Sequence, residues 1–287
     1  MWLEDHELAP PPRPVSLGAT VEVVCGGLLV QIGCAVLAFG SIFGWVFASH
    51  ADLTQWTHFS GRVETAQGTA LELVRTGVSV NEVPVVGTRY TFTGPDGVER
   101  TATSYASGAG PAPGSAVTVE FPAGDPDTSR VVGQTCGMLG PAALLALIFP
   151  LAGFVPAWLG LRWGRARAAL LRNGRQAEAT FAGKEPTNMT VNDQPVWKLV
   201  FTFKDEMGEE RTVESNTHDP QGLQDEPTER VLYDDDQAVL VDSLPGSGRS
   251  TTLGGWEAAS FTGPLLKLLL PGLAVGVNAL GAWMRFG

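Results

Sequence analysis

The chain is poor in charge. Only 17% of its 287 residues are Asp, Glu, Lys or Arg, against about a quarter in ordinary soluble domains. Positive charge is scarcer still: 19 Lys and Arg face 30 Asp and Glu, a net of −11. That sign disfavours a nucleic-acid binder of the usual basic kind. Three cysteines, widely spaced and without a C-x-x-C pair, exclude a disulfide scaffold. The G-x-S-x-G elbow, the Walker loop, the dinucleotide glycine fingerprint and the D-x-D-x-D-G calcium loop are all missing. What the chain has in quantity is apolar mass, 44% of residues, too much for a disordered polymer.

That mass is gathered into runs. Val23 to Ala51 holds 29 residues without a charged side chain, and Val131 to Leu161 holds 31. Roughly 20 apolar residues cross a hydrocarbon core, so both runs are long enough to span a bilayer. Pro141, Pro150 and Pro156 should kink the second. A third uncharged run, Leu268 to Met284, is 17 residues long, and Pro264, Leu265 and Leu266 extend it past Lys267. That lysine can snorkel to the interface. Trp45, Trp56, Trp158, Trp163, Trp256 and Trp283 lie at or near the ends of the runs, where an apolar ring with a polar N–H is favoured. The leader LEDHELAPPPRP is acidic, unlike the basic start of a signal peptide, so the first run is expected to be a retained span.

Orientation rests on one cluster. Arg162, Arg165, Arg167, Arg172 and Arg175 follow the second run with no acidic residue among them. Residues 52–130 instead scatter five arginines among nine acids. Positive charge beside a span stays cytoplasmic, which puts the first loop region outside and the second inside. Arg162, Arg165, Arg167 and Arg172 are candidate contacts for anionic lipid headgroups, each worth about 1 kcal/mol near the surface.

The two loop regions align with one another. Thr76–Ser104 and Thr187–Ser215 match without a gap at an offset of 111, with twelve of 29 positions identical. Asn81, Pro84, Gly97 and Arg100 face Asn192, Pro195, Gly208 and Arg211. Tyr90 and Phe92 alternate with threonines, as Phe201 and Phe203 do around Thr202, the period-2 signal of a half-buried strand. Gly94-Pro95-Asp96-Gly97 reads as a type I turn with Gly97 in the left-handed position after it. Each region should be an antiparallel module of roughly five or six strands, closed as a barrel or sandwich to hide its edges.

The opening Gly61-Arg62 strand, the V-N-x-x-P pattern from Val80, the Tyr90-Thr91-Phe92 strand, the turn leading to Glu99-Arg100-Thr101 and the segment Val117–Asp127 together resemble a bacterial membrane family catalogued as domain of unknown function 3592. Residues 59–132 carry the likeness best; in 174–242, Tyr233-Asp234-Asp235-Asp236 departs from it. The resemblance implies a β-module beside transmembrane helices in a bacterial cell membrane, and no chemistry.

Candidate chemistry is thin. His50 and His58 stand eight residues apart, a poor spacing for a shared metal on a helix. His218-Asp219 lies in a turn-like loop without a nucleophile in a recognisable elbow, and Asp234-Asp235-Asp236 reads as a solvated run. Neither a cofactor nor a catalytic set is expected. The expected organisation is an acidic proline-rich tail (1–16), a first transmembrane helix (17–51), an extracytoplasmic β-module (52–130), a second transmembrane helix (131–161), a basic juxtamembrane helix (162–173), a cytoplasmic β-module (174–245), a linker (246–261) and a third transmembrane helix (262–284). The fold class is thus an α+β membrane protein, multi-pass in the bacterial plasma membrane. Its expected role is non-catalytic: two modules acting as interaction scaffolds, with the lipid bilayer and unidentified proteins as partners, no nucleic acid, and self-association left open. The alternatives are a membrane-embedded enzyme or sensor subunit with its site between a module and the spans, using Asn81, Glu82 or His218, and an accessory transporter subunit.

Overall fold

The computed structural model describes residues 8–191, 193–217, 219–223 and 227–286. Among these it forms five α-helices and two antiparallel sheets of five strands, with one further two-stranded hairpin. The chain divides into two units, Gly40–Pro150 with Gly281–Gly287, and Met1–Phe39 with Leu151–Leu280. Three helical segments, Leu28–His50, Pro141–Asn173 and Thr262–Phe286, are long and apolar enough to cross a membrane.

In the first of these units the sheet is built from β1 (Val63–Val80), β2 (Val83–Thr93), β3 (Glu99–Ser107), β4 (Ala116–Pro122) and the short β5 (Arg130–Val131), in the order β3-β2-β1-β4-β5. The hairpin from β1 to β2 turns on two residues, Asn81 and Glu82, with φ of 50° and 67°. Positive φ at both central positions is the type I′ turn, whose twist matches the strands it joins. The turn from β2 to β3 places Gly97 at φ 75°, and its N–H donates to the Gly94 carbonyl at 3.0 Å. Inside the sheet lie Ala70, Tyr90, Phe92, Val117, Val119, Phe121 and Val131, with the Phe92 and Phe121 rings stacked at 5.7 Å. Beyond β5 the chain returns to β3, where Tyr105 and Thr135 exchange backbone hydrogen bonds of 2.7 and 2.8 Å.

The sheet of the other unit consists of β6 (Arg175–Val191), β7 (Gln194–Lys204), β8 (Glu210–Thr217), β9 (Glu229–Tyr233) and β10 (Ala238–Leu240), in the order β10-β9-β6-β7-β8. Its β6–β7 and β7–β8 registers fall 111 residues from those of β1–β2 and β2–β3. Pairing shifts between Ala70 and Glu72 in β1, and between Phe181 and Gly183 in β6. It shifts again between Arg75 and Ser79, and between Pro186 and Thr190. Such bulges bend a strand and sharpen its twist. At the second shift the Thr76 hydroxyl donates to the Val85 carbonyl, and that of Thr187 to Val196, both at 2.6 Å. Gly208 has φ 81° and Asp193 φ 62°.

Several expected boundaries move. The helical segment of the second run begins at Pro141 as a 3-10 turn (Pro141–Leu147), then continues as α4 (Ile148–Asn173), so residues 131–140 are not part of a helix. Gln134 and Thr135 are instead tied to β2 and β3 by hydrogen bonds to Thr88 and Tyr105, and the Cys136 N–H donates to Asp52. The basic stretch 162–173 is not a separate helix but the last turns of α4. The segment 17–51 breaks at Gly26-Gly27 into α1 (Leu17–Cys25) and α2 (Leu28–His50), followed by the short α3 (Thr54–Thr57). The stretch 246–261 is more than a linker, since it carries the hairpin of β11 (Gly248–Ser250) and β12 (Trp256–Ala258). The last helix, α5, runs Thr262–Phe286.

Small residues set the packing of α2 on α4. A Cβ added at Gly153 would strike the backbone of Leu37 and Val36, and one at Gly33 the backbone of Ala157. Small residues at such a contact let two helix backbones approach closely. Polar groups meet where prolines leave carbonyls without donors. Pro271 in α5 has no N–H for the Lys267 carbonyl four residues earlier. The Gln31 side chain of α2 donates to that carbonyl at 2.9 Å and to the Cys25 carbonyl, at the end of α1, at 2.6 Å.

Candidate functional site

The proline-rich tail is an integral part of its unit from Leu8 onward. Leu8 packs in a core with Val23, Leu171, Leu232 and Trp256. Val15 pairs with Trp256, and the backbone N–H of Trp256 donates to the Pro14 carbonyl at 2.9 Å. Arg13 is 2% exposed. Its guanidinium donates to the carbonyls of Ala9 (2.7 Å), Leu171 (3.0 Å) and Gly174 (2.7 Å). The last carbonyls of a helix have no partners within it, and a cation there also meets the negative end of the helix dipole. Arg13 therefore caps α4, a role its sequence neighbourhood of prolines does not signal.

Beside this core lies a cleft of about 810 Å3. Gly26, Gly27 and Leu28 line it at the α1–α2 break, Trp163 and Arg167 from α4, and Asp242 from the turn after β10. Ser215 and Thr217 at the end of β8 complete its polar wall. At about 100° per residue, Trp163, Ala166, Arg167 and Leu170 share one face of α4, and all four line the cleft. Arg165 and Arg172 point the other way and are exposed, as is Arg162. The four arginines expected to act together are thus divided: one in a cleft and three in solvent.

The charges around the cleft are unevenly engaged. Arg167 is half-buried, and among the described residues it has no ion pair or hydrogen bond. Glu214 is already bound to Lys198 at 3.2 Å, which also reaches Glu185 at 3.0 Å. Asp219 accepts from the Gly222 N–H at 3.4 Å. Asp242 is exposed and has no partner among the described residues. Nearby in the same unit Glu22 is buried with Oε2 unpartnered, its carboxylate facing Gly246 and Gly263, where a Cβ would collide with it.

The module residues singled out in the sequence occupy turns and strand ends. Arg100 pairs with Asp96 at 2.8 Å and Asp127 at 2.7 Å. Hydrogen bonds from Arg100 hold the Asp96 carboxyl down at about 2, and the two acids in turn raise the Arg100 pKa. Arg211 donates instead to backbone, to the Asp234 carbonyl at 2.6 Å, and lies over the Tyr233 ring at 5.5 Å. Pro84 and Pro195 pair with Ser79 and Thr190 beside the second bulge. Asn81 and Glu82 are exposed at a hairpin tip, and nothing in the described contacts gathers other polar groups around them. Asn192 and His218 lie outside the described residues.

A polar set that sequence reasoning missed sits inside the β1–β5 sheet. The Ser104 hydroxyl donates to Gln134 Oε1 at 2.7 Å, and Gln134 Nε2 donates to the Thr88 hydroxyl at 3.1 Å. The Tyr90 and Ser129 hydroxyls lie 3.0 Å apart, and burial pushes the Tyr90 phenol up to about 12. Asp52 receives the N–H of Thr54 and of Cys136, each at 2.8 Å. Burial opposes its ionisation, but these hydrogen bonds, with one from the Thr54 hydroxyl, prevail and hold its carboxyl below the usual range. The sequence signal was present in Gln134 and Thr135, polar residues inside a run read as apolar. These groups seal a core and are not open to a substrate. Among the described residues no group of three or more His, Cys, Asp and Glu is arranged to hold a metal ion. No family model, curated protein or solved structure matches the chain.

Proposed function

We propose that this chain is a non-catalytic integral membrane protein of the bacterial envelope whose two β-modules are docking surfaces in an assembly. The observation that carries the reading is the set of three long apolar helices, which leave Ile32, Phe39, Ile148, Phe154, Leu269 and Val275 outward-facing and exposed. In water these side chains would form apolar surface far beyond the few hundred Å2 that soluble monomers tolerate; in lipid they cost nothing. The arginines at the end of α4 support a cytoplasmic place for the β6–β10 module and an extracytoplasmic one for β1–β5. Bulges and threonine bonds 111 residues apart support a repeated unit. The hydrogen bonds between Tyr105 and Thr135 support a barrel-like closure of the first copy. The likeness to the domain of unknown function 3592 agrees with this arrangement.

Single cysteines at Ser107 and Ser247, with Cys25, Cys34 and Cys136 replaced, test the two-sided topology. The expected result is labelling of Ser107→Cys from outside intact cells and of Ser247→Cys only after lysis. Equal labelling of both from outside refutes it. The second reading is a sensor or enzyme subunit, and one observation favours it: the cleft is lined both by the helices (Leu28, Trp163, Arg167) and by the β6–β10 module (Ser215, Thr217).

A further inference from the structure

We infer that the cleft beside α4 binds the headgroup of a phospholipid bearing a primary ammonium, with Arg167 on the phosphate and Asp242 on the ammonium. The inference rests on the membrane reading above. Arg167 and Asp242 line one cavity of about 810 Å3, yet they do not pair with each other, and neither has another partner among the described residues. A guanidinium withdrawn from solvent without a counter-charge is costly. Had the pair served only to hold the fold together, the two would meet. Both lining one cavity and left unpaired, they are complementary to a ligand that carries both signs. A bare anion fits less well, because Asp242 would repel it and, among the described residues that line the cleft, Arg167 is the one base. A guanidinium offers two parallel N–H bonds to phosphate oxygens, and a primary ammonium offers N–H donors to a carboxylate, which a quaternary one lacks.

The mouth of the cleft selects a lipid over a soluble zwitterion. Leu28 opens the 23-residue apolar helix α2, and Trp163 stands on the cleft face of α4, 51% exposed. Acyl chains leaving a headgroup in the cleft would continue along these apolar surfaces, and a tryptophan at that level is where an interfacial ring is favoured.

The test uses the full chain purified in detergent, exchanged into nanodiscs of phosphatidylethanolamine, phosphatidylglycerol or phosphatidylcholine, then released and weighed by native mass spectrometry. The expected result is one retained phosphatidylethanolamine per chain, favoured about tenfold over the other two, as loss of a charge-assisted bond predicts. Arg167→Gln should abolish that retention. Asp242→Asn should keep lipid bound and erase the preference over phosphatidylglycerol. Arg165→Gln removes the same charge from the opposite face of α4, so equal loss in the two arginine variants overturns the proposal, as does equal retention of all three lipids by the wild type. Tight binding of glycerophosphoethanolamine or inorganic phosphate that displaces the lipid also overturns the lipid assignment in favour of a soluble ligand. Thermal melts of each variant separate lost binding from lost folding, and Asp242, being exposed, tests the site without disturbing a core. A chain that stays monodisperse without detergent refutes membrane insertion separately, before any lipid is weighed.

Discussion

Where β2 carries Thr88 and Tyr90, β7 carries Leu199 and Phe201, 111 residues on. The two sheets share strand order and bulge positions, but their interiors are closed by different chemistry. In the first, Thr88, Ser104 and Gln134 form a buried chain of hydrogen bonds, and Tyr90 meets Ser129. In the second, Leu199, Phe201, Val231 and Leu240 pack together as hydrocarbon. The turn arginines diverge in the same way: Arg100 binds two carboxylates, Arg211 two backbone carbonyls. Register thus depends on a few turn and bulge residues, whereas the means of sealing a core is free to vary. Fully satisfied polar networks specify one arrangement, and apolar cores tolerate repacking.

The largest expected effect comes from deleting the shared aromatic. Phe92→Ala and Phe203→Ala should each cost about 3–5 kcal/mol, and amide hydrogen exchange should show opening confined to the sheet that was altered. Simultaneous opening of both sheets would break the claim that each has its own core. Next comes alkaline pH. Tyr90 keeps its proton up to about 12 in the fold, while an unfolded tyrosine loses it near 10. Its contribution is present in full below pH 10 and lost as pH rises toward 12, about 3 kcal/mol in all. Tyr90→Phe, which installs the residue found at Phe201, should flatten that loss in a pH series of denaturant melts.

Smaller is the effect of Gln134→Leu. It strands the hydroxyls of Ser104 and Thr88 and should cost about 1–3 kcal/mol, read as faster exchange in β2 and β3. The reciprocal change in the other sheet, Leu199→Thr, should also destabilise, because it sets a hydroxyl among the hydrocarbon of Phe201, Val231 and Leu240. Smallest is an acid effect. Asp96 titrates at about 2 beside Arg100, so its contribution is complete above the ordinary carboxylate range and disappears as pH falls through about 2. Arg100→Ala should remove this acid dependence from exchange in β2 and β3. Arg211→Ala should change nothing with pH, since its acceptors are carbonyls; an acid shift there would show that the two turns are held alike.

Much of the architecture was legible in particular residues. Gly97 and Gly208 marked the turns, and the Tyr90-Thr91-Phe92 alternation marked a strand. The 111-residue offset marked a repeat, and the structure places both bulges at that same offset. Other features were misread for physical reasons. An uncharged run is not the same as an apolar one, and Gln134 to Cys136, uncharged but polar, closed a sheet in place of beginning a helix. Asn81-Glu82 and its counterpart at 192–193 carry the hairpin signal, yet only the φ angles of Asn81, Glu82 and Asp193 disclose a turn with left-handed residues. The tail read as a leader because prolines exclude regular structure, while Arg13 acts over 158 residues of sequence to reach Leu171.

By itself the sequence determined the apolar helices, the β-modules and their common register, because hydropathy period, run length and turn glycines act locally. The tertiary structure alone decided that Arg167 parts from Arg162, Arg165 and Arg172, that Arg13 caps α4, and that one sheet is sealed by hydrogen bonds and the other by hydrocarbon. Those outcomes depend on which groups distant in the chain arrive at the same place, and whether a charge finds a partner is settled only there.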